Sequence, residues 1–480
     1  MKKETLIKKY GNLPDSVKAS AWNTFSSIIQ KGISILTIPI FTRMMSTQEY
    51  GEVSLYSSWY AIIAIFGSLN LYHSTTFNGL TKFENDKNGV ISSFQSLTFV
   101  LSAAIFLLSL IFKDYWFRLT GLSEIYILMI CVSVASFSAF NYWTAKERYD
   151  YRYKSVVVYS LIISILSPIL AIVLINTSKY KALARAIAYT IVQVIVGVIF
   201  LVYNSKNDRK YINTKYWKYA LFMNIPLLPH YLSSIVLSES DRIIVGRICG
   251  KDSVALYSLA YNIGMMMIVV ITAINNSITP YIFKTLKKDN VNNLKKISLL
   301  IAVFIMCMCM LSMTIGPEIV STLGTKEYND SIWIVPPIAC SVYFCFLYPL
   351  FSTIELFFEK TFFVSVSSLI AAIINVALNY MFIPKYGFYA AAYTTLFSYI
   401  VYALMHFFFS EVILKKKNRA GKFFDGFLLF GIGVLGIVMM FITLFSYYNT
   451  MFRIMLLLIE LAVVTILAVR IRPLIREISK

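Results

Sequence analysis

The stretch SVVVYSLIISILSPILAIVLIN, residues 155–176, carries no charged side chain and decides the fold class. A helix of roughly 20 apolar residues is long enough to cross the hydrocarbon core of a bilayer, which is about 30 Å thick. Stretches of the same kind fill almost the whole chain, and we predict about fourteen membrane-spanning helices from them. The predicted spans are residues 17–42, 51–73, 91–112, 123–144, 155–176, 182–203, 217–238, 254–281, 297–315, 331–354, 361–383, 388–410, 424–446 and 450–470.

The overall composition also indicates a membrane protein. Hydrophobic residues make up 58% and charged residues 14% of the 480 residues, and the mean hydropathy is +0.69. Soluble domains carry about 25% charged residues. The connections between the spans are short, the longest about 15 residues, so none is long enough to form a separate soluble domain. The predicted fold class is therefore an all-α polytopic membrane protein.

The distribution of the 44 Lys and Arg residues predicts the orientation in the membrane. Short loops rich in basic residues remain on the cytoplasmic side during insertion. With a cytoplasmic N-terminus, the two tails and the even-numbered connections collect most of these residues, among them Lys8, Lys9, Lys206, Arg209, Lys284, Lys287, Lys415 and Lys416. We therefore predict that both termini are cytoplasmic and that no leader peptide is removed. The net charge of +20 fits this bias and the attraction of basic residues to anionic lipids better than nucleic-acid binding.

An internal repeat runs through the chain at an offset of about 200 residues. The first copy contains Tyr56 and Tyr60, and the second contains Tyr257 and Tyr261 in the same spacing. Tyrosines near helix ends are typical of membrane-interface anchors, although stacking on sugar rings is an alternative role. These tyrosines belong to the first of several matches that occur in the same order in both copies. The matches are YSxxYxI at 56–62 and 257–263, SLI at 160–162 and 368–370, and KY at 179–180 and 385–386.

This repeat predicts the domain organisation. Six helices separate equivalent positions, and an even number leaves the two halves in the same orientation. Parallel repeats of this kind occur in transport proteins, where the substrate site lies between the halves. We predict a six-helix bundle at residues 1–216, a second one at 217–414, and two additional helices with a cytoplasmic tail at 415–480.

Several motifs resemble one family of membrane proteins. They are NIPLLPH at 224–230, SDRII at 240–244, LYSLAY at 256–261, the stretch from TR at 42–43 to EYG at 49–51, and IPKYG at 383–387. Together with the helices, they resemble the Wzx-type polysaccharide repeat-unit flippases of the multidrug/oligosaccharidyl-lipid/polysaccharide exporter superfamily. The resemblance implies a V-shaped bundle of two halves in the bacterial plasma membrane.

The resemblance also implies a cargo. Such flippases move an undecaprenyl-diphosphate-linked oligosaccharide from the inner to the outer leaflet by alternating access. Membrane lipids, a polysaccharide polymerase and glycosyltransferases are the partners that it suggests. A polar cleft is compatible with this cargo, because sugar and diphosphate groups lose their water in hydrocarbon without replacement partners.

The strongest candidate for a substrate contact is Lys31, about halfway along the first predicted helix beside Gln30. A charge at that depth costs about 2.5 to 3.5 kcal/mol on insertion scales, so it should face water or an anion. The ammonium could bind the diphosphate. The alternative is a snorkelling side chain or a structural ion pair. Asn23 and Asn262 add amides that suit sugar hydroxyls or bridge helices.

Further intramembrane polar residues are candidates for binding, gating or coupling. His230 follows Pro226 and Pro229, which favour a kink, and it could bind sugar, accept a proton or serve as a core histidine. Arg185 could meet phosphate or form a structural pair. Asp241 and Arg242 are adjacent opposite charges beside Glu239, for which we predict a gating or structural ion pair. The alternative for Arg242 is a contact with phosphate near the exit. His73 and His406, which lie closer to helix ends, are further candidates, and Glu460 in the last helix is a candidate ion site.

Other classes of protein fit less well. The short outer loops leave no room for the catalytic groups of a polymerase or ligase, and the sequence has neither an Asp-x-Asp pair nor a Gly-rich phosphate loop. We predict a non-enzyme without cofactor or metal. Two transport alternatives remain open, a flippase for lipid-linked peptidoglycan precursor and a cation-coupled multidrug exporter. The second usually needs an acidic intramembrane site, whereas the central charge singled out above is basic.

Overall fold

The computed structural model describes residues 14–205, 212–288, 292–417 and 423–478. Within these ranges the chain forms helices and their connections, with no strand, which confirms the all-α class. Of the residues used to predict the orientation, Lys8, Lys9, Lys206 and Arg209 lie outside the described ranges. The chain divides into two compact units, one made of residues up to Met45 with Leu55–Leu232 and one made of Ser46–Ser54 with Ser233–Lys480.

The helices occur in the following order. The first ten are α1 (Asp15–Met44), α2 (Thr47–Ser68), α3 (Ser74–Lys82), α4 (Lys87–Ile111), α5 (Lys113–Thr120), α6 (Glu124–Tyr149), α7 (Tyr153–Thr177), α8 (Lys181–Ser205), α9 (Thr214–Asn224) and α10 (Leu228–Cys249). The remaining nine are α11 (Lys251–Gly264), α12 (Ile268–Lys288), α13 (Asn292–Thr314), α14 (Gly316–Leu323), α15 (Val335–Phe357), α16 (Thr361–Tyr386), α17 (Tyr389–Lys415), α18 (Gly426–Ser446) and α19 (Thr450–Ile478).

Thirteen segments of the described chain are long and apolar enough to cross a membrane. They coincide with thirteen of the predicted spans. The remaining prediction, residues 51–73, corresponds to α2, whose sequence is richer in Ser and Tyr and therefore less apolar. The polytopic helical bundle predicted from the hydropathy is confirmed.

In the first unit, α6 is the central helix. It packs against α4 and α8, while α7 packs against α8 and α1. A Cβ atom at Gly197 of α8 would lie 2.3 Å from the carbonyl oxygen of Ser136 in α6. Only glycine allows the two helix backbones to approach this closely, as is typical of helix packing in membranes.

In the second unit, α15 is the central helix. It contacts α11, α12, α13, α16, α17 and α18, and 89% of its most apolar window is buried. Large side chains such as Phe346 and Phe351 are fully buried on it. The C-terminal helices α18 and α19 both pack against α13. A helix that is apolar all round is typical of such a central position.

The prolines singled out in the sequence interrupt a helix. One 3-10 turn, Ile225–Leu227, separates α9 from α10 and contains Pro226. Asn224 is fully buried at this break, and its Nδ2 donates to Thr75 Oγ1 at 2.7 Å. The Asn224 side chain therefore links the break between α9 and α10 to α3. The division at residues 216 and 414 and the symmetry between the halves stay predictions.

Candidate functional site

A carboxylate with no exposed surface lies in the second unit. Asp241 is on α10, inside a segment long enough to span the membrane. Tyr257 Oη donates to Asp241 Oδ2 at 2.6 Å, and the Thr395 hydroxyl donates to the same oxygen. Asn379 Nδ2 donates to Asp241 Oδ1 at 2.6 Å. Buried carboxylates need such donors, because burial removes the water that would otherwise solvate them.

Buried amides extend this cluster along α16. Asn375 and Asn379 are four residues apart, so they share one helix face, and Asn379 Nδ2 lies 3.2 Å from Asn375 Oδ1. The same Oδ1 accepts from Ser240 Oγ at 2.8 Å, and Thr394 donates to Asn379 Oδ1. Nδ2 of Asn375 is buried without a hydrogen-bond partner. The result is a polar cluster contributed by four helices, α10, α11, α16 and α17.

This polar cluster, centred on Asp241, has a definite chemical capacity. Its carboxylate can take up a proton, and the surrounding carboxylate, hydroxyl and amide oxygens are ligands suited to a small hard cation. The described residues contain no group of three or more His, Cys, Asp or Glu side chains that could hold a metal ion.

Arg242 does not share the partners of Asp241. Its Nη1 lies 2.5 Å from Glu239 Oε2, three residues earlier on the same helix, and its guanidinium carbon is 4.6 Å from the centre of the Tyr261 ring. Both interactions stabilise a cation that is only 9% exposed. The structure thus pairs Arg242 with Glu239, while the neighbouring Asp241 accepts hydrogen bonds from neutral groups.

A second buried ionisable pair lies on α15 and α17. His406 Nδ1 is 2.8 Å from Glu355 Oε1, and both side chains have no exposed surface. His406 Nε2 and Glu355 Oε2 have no hydrogen-bond partner. The imidazole packs against Tyr348 and Tyr402, with ring centres 5.9 Å and 4.7 Å away. A third buried acid, Glu460 on α19, accepts from Thr314 Oγ1 at 3.0 Å.

The predicted substrate residues of α1 lie in the first unit. Lys31 is exposed midway along the helix, and it forms no ion pair with another described residue. Gln30 is half-buried and donates to Ser26 Oγ at 3.0 Å. Asn23, also half-buried, is seven residues from Gln30 and so lies on the same face of α1.

The remaining predicted residues are half-buried. The guanidinium carbon of Arg185 lies 3.9 Å from the centre of the Phe41 ring, so Arg185 packs against α1. His230 lies in the first turn of α10, with its ring centre 6.0 Å from that of Tyr231. Asn262 is on α11 and is half-buried. Arg185 and His230 belong to the first unit and Asn262 belongs to the second.

The interface-anchor interpretation of the repeated tyrosines is wrong for Tyr56 and Tyr257. They are only 7% and 0% exposed, respectively. Tyr56 Oη lies 3.4 Å from Thr190 Oγ1 in the first unit, and Tyr257 and Thr395 both donate to Asp241 in the second. Tyr56 and Tyr257 therefore contribute to the interior of each unit, where a hydrogen-bond partner for the tyrosine hydroxyl is available.

Each unit also has the same turn at the end of its central helix. Arg152 N donates to Glu147 O at 2.8 Å in one, and Lys360 N donates to Glu355 O at 2.8 Å in the other. The residue before each donor has a left-handed backbone, with φ of 56° and 55°. The acidic side chains differ in their partners, because Glu147 pairs with Arg152 at 3.3 Å and Glu355 pairs with His406.

Sequence reasoning missed most of the Asp241 cluster. Two Asn residues four apart in an otherwise apolar helix are the signal that could have indicated Asn375 and Asn379. Glu355 lay just beyond a predicted span, so it did not count as an intramembrane charge.

These features define a multi-pass helical membrane protein. Its fold is similar to that of solved structures of the exporter superfamily. One is a lipid II flippase MurJ in an inward closed conformation, with a TM-score of 0.67, 17% identity, and coverage of 96% of this chain and 100% of that one. Another is an inward-facing multidrug resistance MATE family transporter of the MOP superfamily, with a TM-score of 0.59, 16% identity, and coverage of 82% and 96%.

The chain belongs to the polysaccharide biosynthesis protein family, whose model matches residues 16–286. The MatE family model matches residues 226–381. The "Putative O-antigen transporter" of Shigella flexneri is 24% identical over 61% of this chain and 72% of its own length. The "Lsg locus putative protein 1" of Haemophilus influenzae is 20% identical over 54% of this chain and 63% of its own length. The last alignment thus covers less than two thirds of that relative. The predicted resemblance to polysaccharide flippases is confirmed.

Proposed function

We propose that this protein translocates undecaprenyl-diphosphate-linked oligosaccharide repeat units across the bacterial plasma membrane by alternating access. The family match over residues 16–286 and the O-antigen transporter relative support this class of cargo. The chain itself carries out no covalent chemistry in this proposal. It supplies a polar route for the sugar and diphosphate, while the lipid tail stays in the bilayer.

The observation that carries the proposal is the exposure of Lys31 without an ion-pair partner among the described residues. Its ammonium is exposed halfway along an apolar helix, and no described carboxylate neutralises it. A cation at that depth is costly, and an anionic diphosphate would offset the cost by a charge-assisted hydrogen bond. Asn23 and Gln30 provide amides on one face of the same helix for sugar hydroxyls. Arg185, His230 and Asn262 are secondary contacts in this proposal.

The test is export of surface polysaccharide in cells that lack this chain and receive variants of it. A charge-assisted hydrogen bond contributes about 1.5–3 kcal/mol, so Lys31→Ala should lower the export rate at least tenfold, roughly, at unchanged membrane abundance. Lys31→Arg should retain export because it keeps the charge. Ser34→Ala, another exposed position on α1, is the matched control. Undiminished export by Lys31→Ala would reject the diphosphate contact.

The location of the lipid-linked intermediates tests the cargo itself. In cells without this chain, complete repeat units should accumulate on the inner leaflet. If lipid-linked peptidoglycan precursor accumulates there instead, the cargo is that precursor, which carries the same diphosphate. If polymer is normal and neither lipid accumulates, the flippase proposal is wrong.

A cation-coupled multidrug exporter is the second candidate, because the Asp241 carboxyl is an acidic group inside a segment long enough to span the membrane. Asp241 is fully buried and lies inside the segment matched by the MatE model. Lys31, in contrast, would repel a cationic drug. Drug accumulation in cells with and without the chain discriminates the two: only an exporter of drugs lowers it, and Asp241→Asn would then abolish the difference.

A further inference from the structure

A surface cleft of about 470 Å³ lies in the first unit, between the end of α4, the short helix α5 and the start of α6. Two basic side chains, Lys113 and Arg118, and two acidic ones, Asp114 and Glu124, line it together with Trp116. The lining therefore combines equal numbers of positive and negative charges with an aromatic ring. Neither the Asp241 cluster nor the Lys31 proposal involves any of these residues.

The four charged side chains are available for a ligand. All four are exposed, and none forms an ion pair or a side-chain hydrogen bond with another residue in the described part of the chain. Asp114 and Arg118 are four residues apart on α5, a spacing at which opposite charges can pair. A ligand carrying both signs of charge would match them.

The surroundings place the cleft at the boundary of a membrane. Segments long enough to span a membrane end at Ile111 and begin at Glu124, so α5 connects them outside the apolar core. Around the cleft, Ile111 is 71%, Tyr115 65% and Phe117 60% exposed. Short amphipathic helices with aromatic and basic residues typically lie in the plane of the lipid headgroups.

We propose that this cleft binds the headgroup of a zwitterionic phospholipid that carries a primary ammonium, the phosphoethanolamine type. Lys113 and Arg118 would bind the phosphate, which matches their positive charge. Asp114 and Glu124 would accept hydrogen bonds from the ammonium. A purely anionic group, such as a diphosphate or a phosphoglycerol headgroup, would leave both carboxylates without a partner and be repelled by them. The inference goes beyond the proposed function, because it holds for any cargo.

The test is lipid retention by the full-length protein. Purified, delipidated protein is mixed with phosphatidylethanolamine, phosphatidylcholine and phosphatidylglycerol of identical acyl chains, and bound lipid is counted by native mass spectrometry. We expect phosphatidylethanolamine to be retained most. Phosphatidylcholine should bind less, because its trimethylated ammonium has no hydrogen to donate to the carboxylates.

Charge-neutralising variants test the binding of the phosphate and of the ammonium separately. One exposed charge contact changes affinity roughly 1.5- to 5-fold, so Lys113→Gln with Arg118→Gln should lower phosphatidylethanolamine retention at least about twofold. Asp114→Asn with Glu124→Gln should lower phosphatidylethanolamine retention and raise that of phosphatidylglycerol. Lys179→Gln, at an exposed lysine outside the cleft, is the matched control and should change neither.

Three results would overturn the proposal. Equal retention of the three lipids would mean a non-specific lipid belt. Stronger retention of phosphatidylglycerol by the native protein would mean an anion site. An unchanged preference in both double variants would place the lipid elsewhere. Because the four residues are exposed, thermal unfolding should be unaffected, and its measurement alongside excludes misfolding as the cause of lost binding.

Discussion

Replacing the two members of the Glu355–His406 pair separately and together should reveal strong energetic coupling between them. Both side chains have no exposed surface and meet at 2.8 Å. The substitutions Glu355→Met and His406→Phe keep the length of one side chain and the ring of the other, which packs against Tyr348 and Tyr402. The changes in the free energy of unfolding therefore report the polar interaction with little change in packing.

The expected magnitudes follow from the burial of the pair. His406→Phe leaves the Glu355 carboxyl without any partner, and breaking a buried pair in this way costs about 3–5 kcal/mol. Glu355→Met leaves an imidazole that can stay neutral, with a cost of about 1–3 kcal/mol for its unsatisfied nitrogens. The double variant removes both polar groups, and apolar replacement of a buried pair is neutral or stabilising by about 1–4 kcal/mol.

The assay is unfolding of the purified protein by titration with sodium dodecyl sulfate from mild-detergent micelles, followed by tryptophan fluorescence. The double variant should be at least as stable as the native protein, although each single variant is less stable. Leu404→Phe, at an exposed position of the same helix, controls for the added ring. If the double variant is destabilised by the sum of the two single effects, the pair is not coupled and the reasoning is refuted.

Three further predictions concern packing, the Asp241 cluster and the surface. Gly197→Ala places a Cβ against a backbone carbonyl and should lower the free energy of unfolding by about 1–3 kcal/mol. A lower unfolding temperature would report this. The control Gly431→Ala, where a Cβ would meet no atom within 4 Å, should not lower the unfolding temperature. Asp241→Ala strands three buried donors at about 1–3 kcal/mol each and should prevent isolation of folded protein; normal yield would contradict this. The Glu52–Lys251 pair, 2.6 Å long but partly exposed, should contribute less than about 1 kcal/mol in a double-mutant cycle and less still at high salt.

The fold could be predicted from the sequence to a large extent, because an apolar span leaves few alternatives. Residues 155–176 alone define a membrane helix. The short helices α3, α5 and α14 were not predicted, since eight or nine residues are too few to span a membrane and are positioned by the ends of their neighbours. The first half of α2 is rich in polar residues, so the hydropathy signal of its predicted span is weaker than that of the other spans.

The candidate site could be predicted only in part. The partner of Arg242 is three residues away on its own helix, a spacing that the sequence displays. The donors to Asp241 on α16 and α17 lie 138 and 154 residues away, and only the packing of helices brings them together. His406 ranked low among the candidates because it lies near the end of a predicted span, and its partner Glu355 lies just beyond another.

The long sequence separation within the Asp241 cluster has a consequence for biosynthesis. Asp241 enters the membrane with α10, and Tyr257, 16 residues later, is the first of its donors to be synthesised. Asn379 follows 138 residues after Asp241, which takes roughly 7–28 s at about 5–20 residues per second. During that interval the acid on the nascent α10 lacks the donors from α16 and α17 that replace water in the folded protein. The Asp241 cluster is therefore completed only after α16 and α17 have been synthesised, long after α10 has entered the membrane.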